Sequence, residues 1–380
     1  MTSPPRLPPP RLRSSPPELD GDVIAEILLR LPPYKPELLI RCSSVCKSWR
    51  RLLTDPAFLR RYRVFHGAPP PMLGVLFNLD LHRNWRRIVA RFVHRASSFR
   101  PRALEHDGCC VRDARHGRVL FRNPAYEEND LFVWNPITDE RWELPLPVSV
   151  LSYAAWNVTV LCAAAVREGG GDCDHLDCHG GPFLVTFVGT DDDGVTCGRV
   201  YSSETAAWSD AAYAEHPDDL ADMDTRPCAL VGNRVYCLAA GSMTIVEYDL
   251  DRRKLAFIDP PSAYEGHGVL MPAMGGGGLG FAGVRGSCLY LWSREAGPDT
   301  TPAWTQSRAL ELNTLPGGTS LNEPTTVGFA EGLGVIFVRT DAGVFRIKLK
   351  SGRAKKMSSR SSIDAVIPYM SFYTPDHATG

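Results

Sequence analysis

Apolar residues recur at helical intervals between Leu19 and Arg63, and beyond His66 they give way to short alternating runs. In LDGDVIAEILLRLPP, Val23, Ile24, Ile27, Leu28 and Leu31 share one face of a helical period, and Asp20 or Asp22 is placed to cap the first turn. Pro32 and Pro33 end that helix. Pro36, whose fixed φ suits a first helical position, opens a second, with Leu38, Leu39, Cys42, Val45, Cys46, Trp49, Leu52 and Leu53 along one stripe. Asp55 and Pro56 close it and start a third, in which Phe58, Leu59 and Tyr62 oppose Arg60, Arg61 and Arg63. Three short helices in about 45 residues lie near the lower limit of independent stability, because so small a unit leaves much of its surface wet. The stripes carry more apolar surface than such a unit buries alone, so a partner is predicted. Trp49 is its expected anchor, worth roughly 4 to 6 kcal/mol at the usual area coefficient.

After His66, β-branched and aromatic runs are broken by Gly, Pro, Asp and Asn, which is all-β punctuation. A strand–turn–strand unit recurs as FVWNPITDERWELP from Phe132, RVYSSETAAWSDA from Arg199 and IVEYDLDRRKLAFI from Ile245, with looser copies from Ser307 and Gly343. A second hairpin precedes several copies, as at Gly117, Gly181, Cys228, Gly278 and Thr325. Two hairpins make a four-stranded unit, and its repetition predicts propeller blades, because radial repetition protects sheet edges that an open sheet would expose. Five copies are visible, and residues 72–112 with the C-terminal MSFYTP segment supply another. The expected fold is therefore an α+β multidomain chain: a small all-α unit of three helices, then an all-β propeller of about six blades, seven being the alternative count. A pair of packed β-sheets is the other arrangement the pattern allows.

Lys and Arg number 42 against 43 Asp and Glu, a net charge of −1 that implies no general polyanion-binding role. The distribution is uneven: residues 1–102 hold 19 basic and 7 acidic side chains (net +12), and residues 168–224 hold 1 and 14 (net −13). Opposite-signed surfaces facing different partners are expected. The acidic stretches Arg167 to Gly181 and Asp210 to Asp224 are candidate rim insertions for target binding. With no long apolar run and no hydrophobic leader, the eleven cysteines read as reduced thiols. The opening MTSPPRLPPPRLRSSPP reads as a polyproline-like tail.

Candidate chemistry is sparse. Gly275, Gly277 and Gly280 satisfy a GxGxxG pattern, but a strand pair follows instead of the helix that a phosphate cradle needs. Cys173, His175, Cys178 and His179 in CDHLDCH offer soft ligands of the kind that hold zinc. A closed tetrahedron drawn from seven consecutive residues is cramped, so a solvated loop without metal is the expectation there. Cys109 and Cys110 sit on a strand with no activating neighbour, and Asp191 to Asp193 form a hairpin tip. Arg83, Arg86, Arg87, Arg91 and Arg95 read as a solvated face without a nucleic-acid-binding module.

The phrases EIL-x-RLP, LL-x-R and VCK-x-WR-x-L-x-x-DP-x-F closely resemble the F-box, from Leu19 to about Arg63, and YR-x-FHG at Tyr62 to Gly67 resembles its plant, especially grass, variant. The resemblance implies docking on a Skp-type adaptor and, through it, a cullin. Carried over by position, it implies that Leu19, Ile27, Leu28, Leu31, Pro32, Leu39, Val45, Cys46 and Trp49 face or support the adaptor. The usual Leu-Pro opening reads Leu19-Asp20, and PPYKPE lengthens the first inter-helix loop. Downstream, NPITDERWELP, EYDL, LWSRE and YMSFYTPD resemble plant F-box-associated domains. The implied organisation is a tail at 1–17, an F-box at 18–66, a propeller-like domain at 67–376 and a tail at 377–380. The implied role is that of a non-catalytic substrate receptor of a cullin ubiquitin ligase, cytoplasmic or nuclear. It would bind an unknown protein target and need no cofactor, metal, nucleic acid or membrane. A propeller enzyme, or a nucleic-acid- or ligand-binding protein, carrying a protein-interaction helix module is the alternative.

Overall fold

The computed structural model describes residues 20–80, 88–95, 99–123, 131–147, 155–166, 173–217, 226–239, 244–262, 268–295, 302–312, 315 and 324–377. Its N-terminal part comprises α1 (Gly21–Leu29), α2 (Pro36–Ser43), α3 (Lys47–Leu53) and α4 (Pro56–His66). Asp20 caps α1, accepting from the Asp22 N–H at 3.4 Å, and Asp55 caps α4, accepting from the Phe58 N–H at 2.9 Å. The expected second helix is two helices. The Ser43 and Ser44 hydroxyls both donate to the Ile40 carbonyl, and Cys46 adopts an extended backbone, so the chain leaves the helix and re-enters it at Lys47.

Six antiparallel sheets follow, each of four principal strands. Blade 1 holds Met72–Asp80, Ile88–His94, Glu105–Asp107 and the late strand Ile363–Met370. Blade 2 runs through Cys110–Arg115, Arg118–Arg122, Leu131–Trp134 and Arg141–Leu144. Blade 3 has Ala155–Cys162, Phe183–Thr190 and Val195–Ser202, its outer edge shared by Ala207–Trp208 and Ala212–Glu215. Blade 4 comprises Ala229–Val231, Arg234–Leu238, Ile245–Asp249 and Lys254–Ile258, and blade 5 comprises Gly268–Pro272, Leu279–Arg285, Cys288–Glu295 and Ala303–Glu311. Blade 6 is Thr325–Ala330, Val335–Thr340, Gly343–Lys348 and Ala354–Ser358.

Each blade seam buries its own apolar cluster. Phe92, Phe121 and Tyr369 join blades 1 and 2; Val133, Trp156 and Phe187 join blades 2 and 3; Val188, Val235 and Tyr248 join blades 3 and 4. Ile245, Leu270 and Phe281 join blades 4 and 5, Val269, Leu289 and Ile336 join blades 5 and 6, and Val75, Phe337 and Val366 close the circle. Ile363–Met370 pairs antiparallel with Met72–Asp80, Ile367 opposite Leu76, so the last strand of the chain locks onto the first propeller strand and completes blade 1.

Three expectations are corrected. The phrase from Ser307 lies in a single outer strand of blade 5, not a hairpin, and closure comes from Ile363–Met370, just ahead of most of the MSFYTP segment. Cys228 and Cys237, facing each other across the first hairpin of blade 4 with Cα atoms 4.5 Å apart, are disulfide-bonded, which leaves nine free thiols. A short hairpin imposes this proximity on its flanking residues, and spacing alone could not announce it.

Candidate functional site

The helices form one small core of Ala25, Leu28, Leu29, Leu39, Leu53, Phe58, Leu59 and Tyr62, with Ile24, Leu31, Cys42, Trp49 and Leu52 packed against it. The Tyr62 hydroxyl donates to the Leu31 carbonyl at 2.8 Å, and a His66 ring nitrogen lies 2.9 Å from the Leu29 carbonyl. This splits the nine residues assigned by resemblance. Leu28 and Leu39 are sealed inside, Leu31, Pro32 and Trp49 are half-buried, and Ile27, Val45 and Cys46 are exposed. Leu19 lies outside the described residues.

The stripe read for α1 divides accordingly. Ala25, Leu28 and Leu29 point inward, and Val23 and Ile27, one turn apart, point out at 45% and 52% exposure. With Tyr34 at 67% and Val45 at 63%, they give the helices an outward set of large apolar side chains. Val23 and Tyr34 were not assigned to this role from the sequence. An amphipathic period identifies apolar positions but cannot say which of two adjacent rows meets the protein's own core.

Two propeller segments complete the helical core from below. Leu176, from the 173–181 segment, and Phe372, just after the closing strand, are both buried in it, and the Phe372 ring meets Tyr62 edge-on with centroids 6.3 Å apart. Around this plug Arg60 pairs with Asp174 at 2.8 Å, and the buried Arg63 pairs with Asp177. The described part of the first acidic insertion is therefore not a free rim loop: its carboxylates meet the basic face of α4. The remainder of that insertion, 167–172, and positions 218–224 of the second lie outside the described residues.

The same segment gathers its sulfurs and imidazole. Cys162, the last residue of the innermost strand of blade 3, lies with Cys173, His175 and Cys178 such that one donor atom from each falls within 4.8 Å of the others. His179 is turned away: its Nδ1 is 3.4 Å from Asn135 Nδ2, and its Nε2 is 3.3 Å from an Asp177 carboxylate oxygen. The solvated loop expected here is instead wedged between helices and propeller. Gly117, at the first hairpin tip of blade 2, has φ +75° and no room for a side chain, since a Cβ would fall 2.7 Å from the His179 Cβ. Next to it, burial holds the His116 imidazole down to about 3, so this ring is neutral, and it lies 4.2 Å from His175 centroid to centroid.

On the propeller axis, under the chain leaving α4, a cavity of about 440 Å³ is bounded by Pro69, Asp113, Arg115, Arg226, Glu331 and Met370 among others. Arg115 bonds Asp113 at 3.1 Å and Glu331 at 2.8 Å and donates to the Cys228 carbonyl, and Asp113 also accepts from the Val160 N–H. Arg226 donates to the carbonyls of Gly268 and Thr326. This network ties blades 2, 3, 4 and 6, and Arg226 bridges blades 5 and 6. Its groups are committed to bracing the ring. Gly275, Gly277 and Gly280 belong to the first hairpin of blade 5, with a strand following. Burial pushes the Cys109 thiol up to about 11, which suits packing and not nucleophilic attack. Among the described residues no helix is long and apolar enough to cross a membrane.

Residues 17–61 match the family model of the F-box domain. No curated protein matches the chain. Among solved structures, the chain is similar to one in a nidogen/laminin complex at 8% identity and TM-score 0.44, covering 78% of this chain and 98% of that one. It is similar to TolB from Acinetobacter baumannii at 8% identity and TM-score 0.42, covering 82% and 73%. It is also similar to the WD40 domain of SCAP from fission yeast at 12% identity and TM-score 0.37, covering 68% and 56%. At such scores these likenesses carry no functional weight. The F-box match and the six sheets together define the class: an F-box domain joined to a six-bladed β-propeller.

Proposed function

We propose that this chain is the substrate-recognition subunit of an SCF-type cullin ubiquitin ligase, working in the cytoplasm or nucleus, with a propeller of the grass F-box-associated kind. The F-box helices dock on a Skp-type adaptor and through it on a cullin, and the propeller holds a protein target. The chain contributes position and no bond chemistry: holding the target raises the effective concentration of its lysines near the charged ubiquitin carrier.

The observation that carries this reading is the outward apolar set Val23, Ile27, Tyr34 and Val45 on an F-box whose inner faces are already satisfied by its own core and the propeller. A helix-borne apolar stripe of this kind suits a groove on a partner. The target is assigned to the propeller face away from the helices, because the near face is occupied by the linker and the 173–181 segment. Gly332, on a first-hairpin turn of blade 6, comes so close to Pro69 that a Cβ would lie 2.7 Å from it.

Co-purification tests the reading. Ile27→Asp combined with Val45→Asp changes only exposed side chains, so the protein stays folded. Losing two apolar contacts of about 1.5 to 3 kcal/mol each should weaken adaptor binding by roughly 100-fold or more. Undiminished binding by the folded double variant would refute the assignment.

A further inference from the structure

Three sulfurs and one imidazole converge where the innermost strand of blade 3 meets the segment under α4. Cys162 Sγ is 3.8 Å from Cys173 Sγ, and Cys178 Sγ is 3.7 Å from His175 Nδ1. A tetrahedral zinc ion, about 2.3 Å from sulfur and about 2.0 to 2.1 Å from nitrogen, requires sulfur–sulfur edges of about 3.8 Å and sulfur–nitrogen edges of about 3.6 Å. A disulfide would need its sulfurs at about 2.05 Å. We propose that Cys162, Cys173, His175 and Cys178 form a structural zinc(II) site that holds the segment seating the F-box on the propeller.

The surroundings fit a metal centre. His175 takes a left-handed backbone, φ +54°, which a non-glycine residue adopts at a cost and keeps where its surroundings fix it. Three thiolates around zinc(II) leave one negative charge. Arg118, 1% exposed, supplies the balance: it donates to the carbonyls of Cys178 and Gly181, and its Nε and Nη1 have no hydrogen-bond partner among the described residues. Sulfur with imidazole selects zinc over calcium or magnesium, and four protein ligands leave no open position, so the role is structural.

The cramped tetrahedron of the CDHLDCH phrase is relieved because the fourth ligand is Cys162, on a strand well upstream, and not the adjacent His179. Between the ligands the chain displays Asp174, Leu176 and Asp177, the three side chains that engage the F-box. The inference is independent of the ligase reading.

Full-length protein, made in zinc-supplemented medium and purified under reduction without a metal-affinity step, should carry one zinc ion per chain by elemental analysis. X-ray absorption on this wild-type protein should show a first shell of three sulfurs and one nitrogen. Cys162→Ser should lower zinc affinity by at least about tenfold, the range already produced by losing an outer contact. His179→Gln should retain the metal. Wild-type protein without zinc, an oxygen-rich first shell, a Cys162–Cys173 disulfide in its place, or zinc unaffected by Cys162→Ser would each overturn the proposal.

Discussion

Leu176→Ala isolates the apolar plug between propeller and helices. Leu176 is 8% exposed and sits among F-box core residues, so truncation removes apolar contact and leaves space that Tyr62 and Phe372 fill only in part. Leucine-to-alanine changes at such sites cost about 2 to 5 kcal/mol. The neighbouring Arg60–Asp174 pair is exposed on both sides, and an ion pair in that setting is worth about 1 kcal/mol at most. If the plug is apolar in origin, Leu176→Ala should raise local opening of α4 by about 25-fold or more, and Asp174→Asn by about fivefold or less. Hydrogen exchange reads this directly. Amides of α4 should lose protection while those of Val158 and Val160, on the inner strand of blade 3, keep theirs. Unchanged protection in α4 after Leu176→Ala, or equal effects of the two substitutions, would refute the reasoning.

Alkylation in denaturant with chelator but no reductant should label nine of the eleven cysteines, with Cys228 and Cys237 recovered unlabelled in one peptide pair; eleven labels would contradict the bond. Tyr62→Phe should cost about 1 kcal/mol by removing the donor to the half-buried Leu31 carbonyl, lowering the stability of the helices in chemical denaturation; a midpoint like that of wild type would show the bond to be dispensable.

The propeller was legible because each hairpin announces itself by alternation and turn chemistry, as in FVWNPITDERWELP, whose strands are Leu131–Trp134 and Arg141–Leu144. The helices were legible from their period and capping residues. What escaped was decided by contacts distant along the chain. The break at Ser43–Ser44 comes from hydroxyls competing for one carbonyl, Val23 faces outward because α1 presents a different row to α4, and the acidic 173–181 segment is matched to Arg60 and Arg63. The metal-ligand set could not be completed from sequence, because Cys162 joins it only once blade 3 has formed.

Ring closure has a consequence for biosynthesis. Ile363–Met370 supplies the inner strand of blade 1, and Phe372 fills the floor of the helical core, so neither end of the fold is finished until the ribosome has passed residue 372. The nascent chain must hold five blades and an unfilled helical unit in waiting, with apolar surface open to chaperones. A premature stop before the closing strand, which begins at Ile363, would release a molecule damaged in both halves at once.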